Sequence, residues 1–115
     1  MFDFQNLDVY KKAKYFHLSC NELLKHNKFD RTTKDQLTRA SFSIPLNIAE
    51  GSGRFSKPDR RNFFVISRGS VFECVSILDI LHDNGTIETE KFQGLLLRAD
   101  ELSRILYAMI KNLSN

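Results

Sequence analysis

Apolar residues return at intervals of three and four along four stretches of this chain, and no stretch sustains an alternation of period two. Side chains at that spacing fall on one stripe of an α-helix, so the pattern predicts an all-α fold. The first helix is predicted over residues 5–26, with Val9, Ala13, Phe16, Cys20 and Leu23 on its stripe and a break at Asn27 and Lys28. A second helix begins near Thr33, which stands at capping-box distance from Gln36, and carries Leu37, Ala40, Ile44, Ile48 and Gly51 before Gly51 and Gly53 end it. Pro45 lies within it, removes one backbone hydrogen bond and predicts a kink.

The third helix has the clearest start: Ser56 as cap, Pro58 in the first turn and Asp59 three residues after the cap. Its predicted stripe is Phe63, Ile66, Ser70, Cys74, Ile77 and Leu81, broadened by Phe64, Val71, Val75 and Leu78 and closed by Asn84-Gly85. The fourth follows Thr86 or Thr89 and presents Phe92, Leu95, Ala99, Leu102, Leu106, Met109 and Leu113. Helices of similar length joined by short connections pack antiparallel, which predicts one up-down-up-down four-helix bundle over residues 1–115. Only five Gly and two Pro among 115 residues agree with a fold poor in turns.

The longest uncharged run, residues 40–49, is far below the roughly 18 apolar residues that span a bilayer. The opening MFDFQ lacks the basic and apolar regions of a signal peptide, so a cytoplasmic protein is expected. Cys20 and Cys74 sit singly on apolar stripes, the setting of buried reduced thiols. The histidines His17, His26 and His82 are isolated, no Glu-x-x-His pair exists, and the glycines of EGSGR lack the lysine of a phosphate loop. No enzyme, metal or cofactor is expected from this set.

Two features remain after the core is filled. Phe42, Leu46 and Ala49 fall opposite the core stripe of the second helix, and Leu7, Tyr15 and Leu18 lie off that of the first. A helix apolar all round is buried on two sides, which predicts a homo-oligomer with Phe42, Leu46 and Ala49 at the contact. Polar side chains also stand within apolar segments: Ser43, Asn47 and Glu50 on the second helix, Ser67, Ser70 and Glu73 on the third. Buried polar groups must pair, so Ser43, Asn47, Glu50, Ser70 and Glu73 are expected to form a network fixing the register of the two helices.

The net charge of +3 conceals a gradient, since residues 1–68 carry +6 and residues 69–115 carry −3. The densest basic stretch is Arg54, Lys57, Arg60, Arg61 and Arg68, a candidate surface for phosphates of RNA or DNA. The phenylalanines lie at core spacing, which argues against base-stacking platforms.

The run SIPLNIAEGSGR, followed by Ser56, Phe63 and ISRGSVFE at residues 66–73, resembles the four-helix bundle family named for the 23S rRNA-intervening-sequence protein. The similarity extends from Phe4-x-x-Leu7 to the last helix. It implies a small bacterial bundle assembled as a ring, typically a pentamer, akin to the accessory variability protein of diversity-generating retroelements, which binds reverse transcriptase and RNA. By resemblance, Ser43, Asn47, Glu50, Gly51, Ser70 and Glu73 occupy the family's characteristic positions. Leu46, Ser67, Arg60 and Arg61 depart from its usual pattern: Leu46 is bulkier, Ser67 replaces a common Ala, and the two arginines are more basic. The resemblance implies no activity. A nucleic-acid adaptor and a protein-interaction scaffold are the two leading readings, with an enzyme using Glu50 and Glu73 as a two-carboxylate site last.

Overall fold

A computed structural model describes residues 2–26 and 29–114. A short 3-10 helix, Asp3–Asn6, leads into α1 (Asp8–His26), α2 (Arg31–Ser52), α3 (Lys57–Asp83) and α4 (Thr89–Asn112). No strand occurs among the described residues. Each helix packs on the next and α4 closes against α1, while the α1 and α3 backbones, and those of α2 and α4, stay farther apart across the core. The helices therefore stand at the corners of a square. With 27 residues α3 is about 40 Å long, close to the 44 Å longest dimension of the molecule, so consecutive helices must reverse direction. None of the described helices is long and apolar enough to cross a membrane.

The helix starts follow from capping chemistry, and two differ from the sequence expectation. Phe2 N–H donates to Gln5 Oε1 at 2.8 Å and Leu7 N–H to Phe4 O at 3.0 Å, closing a separate 3-10 turn. Leu7 is extended, so α1 begins at Asp8 rather than Gln5. It ends at His26, and the predicted break at Asn27 and Lys28 lies outside the described residues. In α2 the cap is Asp30, whose Oδ1 accepts from Thr33 N–H at 2.7 Å. Asp30 supplies a carboxylate three residues ahead of Thr33, so the helix starts two residues earlier than predicted. That same bond holds the Asp30 carboxyl below its ordinary pKa. Ser56 caps α3 as expected, its Oγ accepting from Asp59 N–H at 3.2 Å. Gly85 has φ of +80°, which supplies the left-handed turn into α4. Of the two candidate starts, Thr89 is the first residue of α4.

All four helices share one core, with Phe16, Leu37, Ile44, Ile48, Leu78, Leu102 and Leu106 fully enclosed. The stripes of α1, α2 and α4 lie where the spacing puts them, and α2 runs on through the buried Pro45. The stripe of α3 does not. Its buried face is Phe64, Ser67, Ser70, Val71, Cys74, Leu78 and Leu81, leaving Phe63 and Ile77 half-buried and Ile66 exposed. Two contacts set this register. A Cβ on Gly51 would come within 2.7 Å of Phe64 Cε1, so the ring occupies the space a side chain would take. Ser67 then faces inward and donates to Ile44 O at 2.9 Å, so its hydroxyl is satisfied inside the core. Cys20 and Cys74 are free and buried, and burial pushes the Cys20 thiol up to about 12. The Cys74 thiol is also pushed up, first by burial and then by the neighbouring Cys20 and Glu73.

Candidate functional site

The polar residues between α2 and α3 form a directed chain. Asn47 Nδ2 donates to Ser43 O at 2.8 Å and to Ser43 Oγ at 2.9 Å. Ser43 Oγ lies 2.9 Å from Ser70 Oγ, which donates onward to Ile66 O at 3.2 Å. Every hydroxyl in the chain thus has a donor role and an acceptor role, and the chain ends on a backbone carbonyl. Glu50 and Glu73 do not join it, contrary to the sequence expectation. Both side chains are exposed, and Glu50 pairs with Arg54 at 3.0 Å. A step of three residues turns a helix by about 60° short of a full circle. From Asn47 to Glu50, and from Ser70 to Glu73, that step leads outward to solvent. The two carboxylates therefore make no buried site. Among the described residues no group of three His, Cys, Asp or Glu is placed to hold a metal ion.

A second cluster was not visible in sequence. His17 Nδ1 lies 2.7 Å from Ser41 Oγ, Asn21 Nδ2 lies 3.3 Å from His17 Nε2, and Ser41 Oγ donates to Thr38 O at 3.2 Å. These bonds run in one sense if the neutral ring carries its proton on Nδ1: Asn21 to His17 to Ser41 to Thr38. Burial lowers the His17 pKa, in keeping with a neutral ring. Ser41 is 0 % exposed and its proton ends on a carbonyl, so this is a structural chain and not a nucleophile with its base. The one sequence clue was a serine, Ser41, next to the core stripe of α2.

The basic residues meet only in part. Arg54, Lys57, Arg60 and Arg61 gather where α2 turns into α3, and Arg68 lies about 10 Å farther along α3. On α3, Lys57, Arg61 and Arg68 share a face within about 40°, and Arg60 is turned about 60° from Lys57 on the other side. Arg54 lies over the Phe63 ring at 4.6 Å besides pairing with Glu50. Arg61 Nε donates to Ser114 Oγ at 2.7 Å. Arg68 Nε donates to Ser103 O at 3.0 Å, and its guanidinium lies 4.8 Å from the Phe72 ring and 5.4 Å from that of Tyr107. Lys57 is exposed. Arg60 is half-buried, and its Nε is enclosed without a partner. Among the described residues none of Lys57, Arg60, Arg61 and Arg68 forms a salt bridge; their contacts are with neutral groups. Lys57, Arg61 and Arg68 thus share one face of α3 with no carboxylate partner among the described residues.

The surplus apolar face is where the spacing put it: Phe42 and Leu46 are 49 % and 47 % exposed, and Ala49 is half-buried beside them. Leu7, Tyr15 and Leu18 are exposed as well. A second apolar surface was missed. On α3 and α4, Phe72, Leu96 and Leu97 rim a groove of about 610 Å³ floored by Val71, Val75 and Ala99. In the square arrangement it faces away from the Phe42 surface. The expectation that phenylalanines belong to the core also needs correction, because Phe2, Phe42, Phe55 and Phe72 are exposed. Phe55 precedes the cap of α3 and belongs to no stripe, which was the available signal.

Comparison with known proteins adds the lineage. No curated protein matches the chain. A solved structure from Bacteroides thetaiotaomicron VPI-5482, described as a protein of unknown function from the S23 ribosomal protein family, is similar in fold, with a TM-score of 0.84 and 23 % identity over 90 % of this chain and 98 % of that one. The sequence model of the 23S rRNA-intervening sequence protein matches residues 5–108, the span that holds all four helices but the last turn of α4, and the chain belongs to that family.

Proposed function

We propose that the chain is a non-enzymatic, self-associating four-helix bundle that acts as an adaptor for nucleic acid, RNA foremost, through Arg54, Lys57, Arg60, Arg61 and Arg68. One observation supports this above the others: Lys57, Arg61 and Arg68 share one face of α3 and form no salt bridge among the described residues, Arg61 and Arg68 bonding to neutral groups, so their charge is free for a polyanion. A single subunit offers few phosphate contacts. Several copies held rigidly in a ring, a pentamer by family resemblance, multiply them by avidity. The α1–α2 surface with Phe42, Leu46 and Ala49 is the proposed contact. The α3–α4 groove is its proposed complement, since head-to-tail pairing of two unlike surfaces forms a ring when the rotation between successive copies closes.

The apolar groove of about 610 Å³ also supports a second reading, a cytoplasmic scaffold that seats a protein partner such as a reverse transcriptase and has no nucleic-acid role of its own. Capture of cellular partners on tagged protein, with and without nuclease, separates the two. The adaptor reading expects RNA in the eluate and partners lost after nuclease. Partners that persist after nuclease, with no RNA recovered, favour the scaffold.

A further inference from the structure

Phe55 lies in the short connection between α2 and α3 and is fully exposed. The fold does not require an aromatic ring there. Gly53 ends α2, Ser56 caps α3, and position 55 only links them. A large apolar side chain left in water is unfavourable, and a ligand that covers it recovers that free energy. The surroundings indicate which ligand. Arg54 precedes it, Lys57 follows two residues later, and Arg60 and Arg61 follow within the first two turns of α3. A hollow of about 620 Å³ adjoins this connection, lined by Phe2, Asp3, Phe4, Leu7, Gly53 and Arg60, with Arg60 Nε enclosed beside it.

This corner therefore joins an uncovered aromatic plane to Lys57 and Arg61, two cations that form no salt bridge among the described residues. Unpaired nucleotides answer both, with a flat base and a phosphate within one residue's length. A duplex hides its base faces. We propose that the α2–α3 corner is a single-stranded nucleic-acid subsite, in which one unpaired base stacks on Phe55 while Lys57 and Arg61 hold the flanking phosphates. The assignment rests on the nucleic-acid reading above and narrows it to single strands.

The chain has no tryptophan, so Phe55→Trp places a single fluorescent reporter at the corner of the full-length protein. An oligo(A) of about 12 nucleotides quenches this reporter on binding, while an abasic strand of equal length and charge binds without comparable quenching. Phe55→Ala lowers affinity for oligo(A) roughly tenfold or more, and leaves duplex affinity and the salt slope unchanged. Lys57→Ala instead lowers the slope by about one unit. Equal affinity of wild type and Phe55→Ala for oligo(A), with steep salt dependence intact, overturns the stacking subsite and leaves the phosphate reading in place. Absence of any binding by wild type at low salt overturns both. A change in sedimentation of Phe55→Ala makes Phe55 a contact between copies and overturns the assignment as well.

Discussion

Single residues decide how closely the elements approach, and glycine shows this most clearly. At Gly51 an added Cβ meets the buried Phe64 ring at 2.7 Å and Phe63 Cβ at 3.1 Å. Overpacking of that kind costs about 1–3 kcal/mol, against about 1 kcal/mol of helix propensity gained from Ala. Gly51→Ala is therefore expected to lower the thermal midpoint. Gly69→Ala and Gly94→Ala, where nothing lies within 4 Å, should leave it unchanged or raise it. His17 provides a second residue-level test. Its pKa is lowered from 6.5 by burial, so below that value the unfolded chain binds a proton that the folded chain resists. Its effect on stability is nil above the unfolded pKa, and stability is lost as pH falls from 6.5 through the lowered folded value. Thermal melts between neutral and mildly acid pH should show this loss in wild type and less of it in His17→Gln.

At the scale of elements, much of the architecture was legible because helical spacing and caps are local. Ser56, Pro58 and Asp59 placed the start of α3, and the stripes of α1, α2 and α4 named their buried residues. The stripe of α3 was misjudged by one residue, since a serine such as Ser67 reads as polar until a carbonyl on another helix is seen to receive its proton. The same limit applies to the polar seam. Ser43, Asn47 and Ser70 meet across α2 and α3 as expected, but only the turn of each helix reveals that Glu50 and Glu73 face solvent. Asn47→Ala should thus cost about 1 kcal/mol by removing the donor to Ser43, whereas Glu50→Ala should stay within about 0.5 kcal/mol. Denaturant midpoints of the two variants check this order, and a larger loss for Glu50→Ala would restore it to the network.

The molecule as a whole presents apolar surfaces on opposite sides and a basic edge at the α2–α3 corner. The α1–α2 surface was legible because it is surplus to a core stripe. The α3–α4 groove was not, because it needs two helices to form. If the α1–α2 surface is a subunit contact, Leu46→Glu places a charge where a neighbour packs and should shift sedimentation toward smaller species without lowering helix content. A wild-type monomer at micromolar concentration would remove that contact from the account. The adaptor claim is tested most directly by affinity for a mixed RNA pool at two salt concentrations, for wild type and for Arg60→Ala/Arg61→Ala that remains assembled. Wild-type binding should weaken steeply with salt, and the double variant should bind more weakly with a shallower slope. No binding at low salt, or equal affinity and slope in the two proteins, would contradict it.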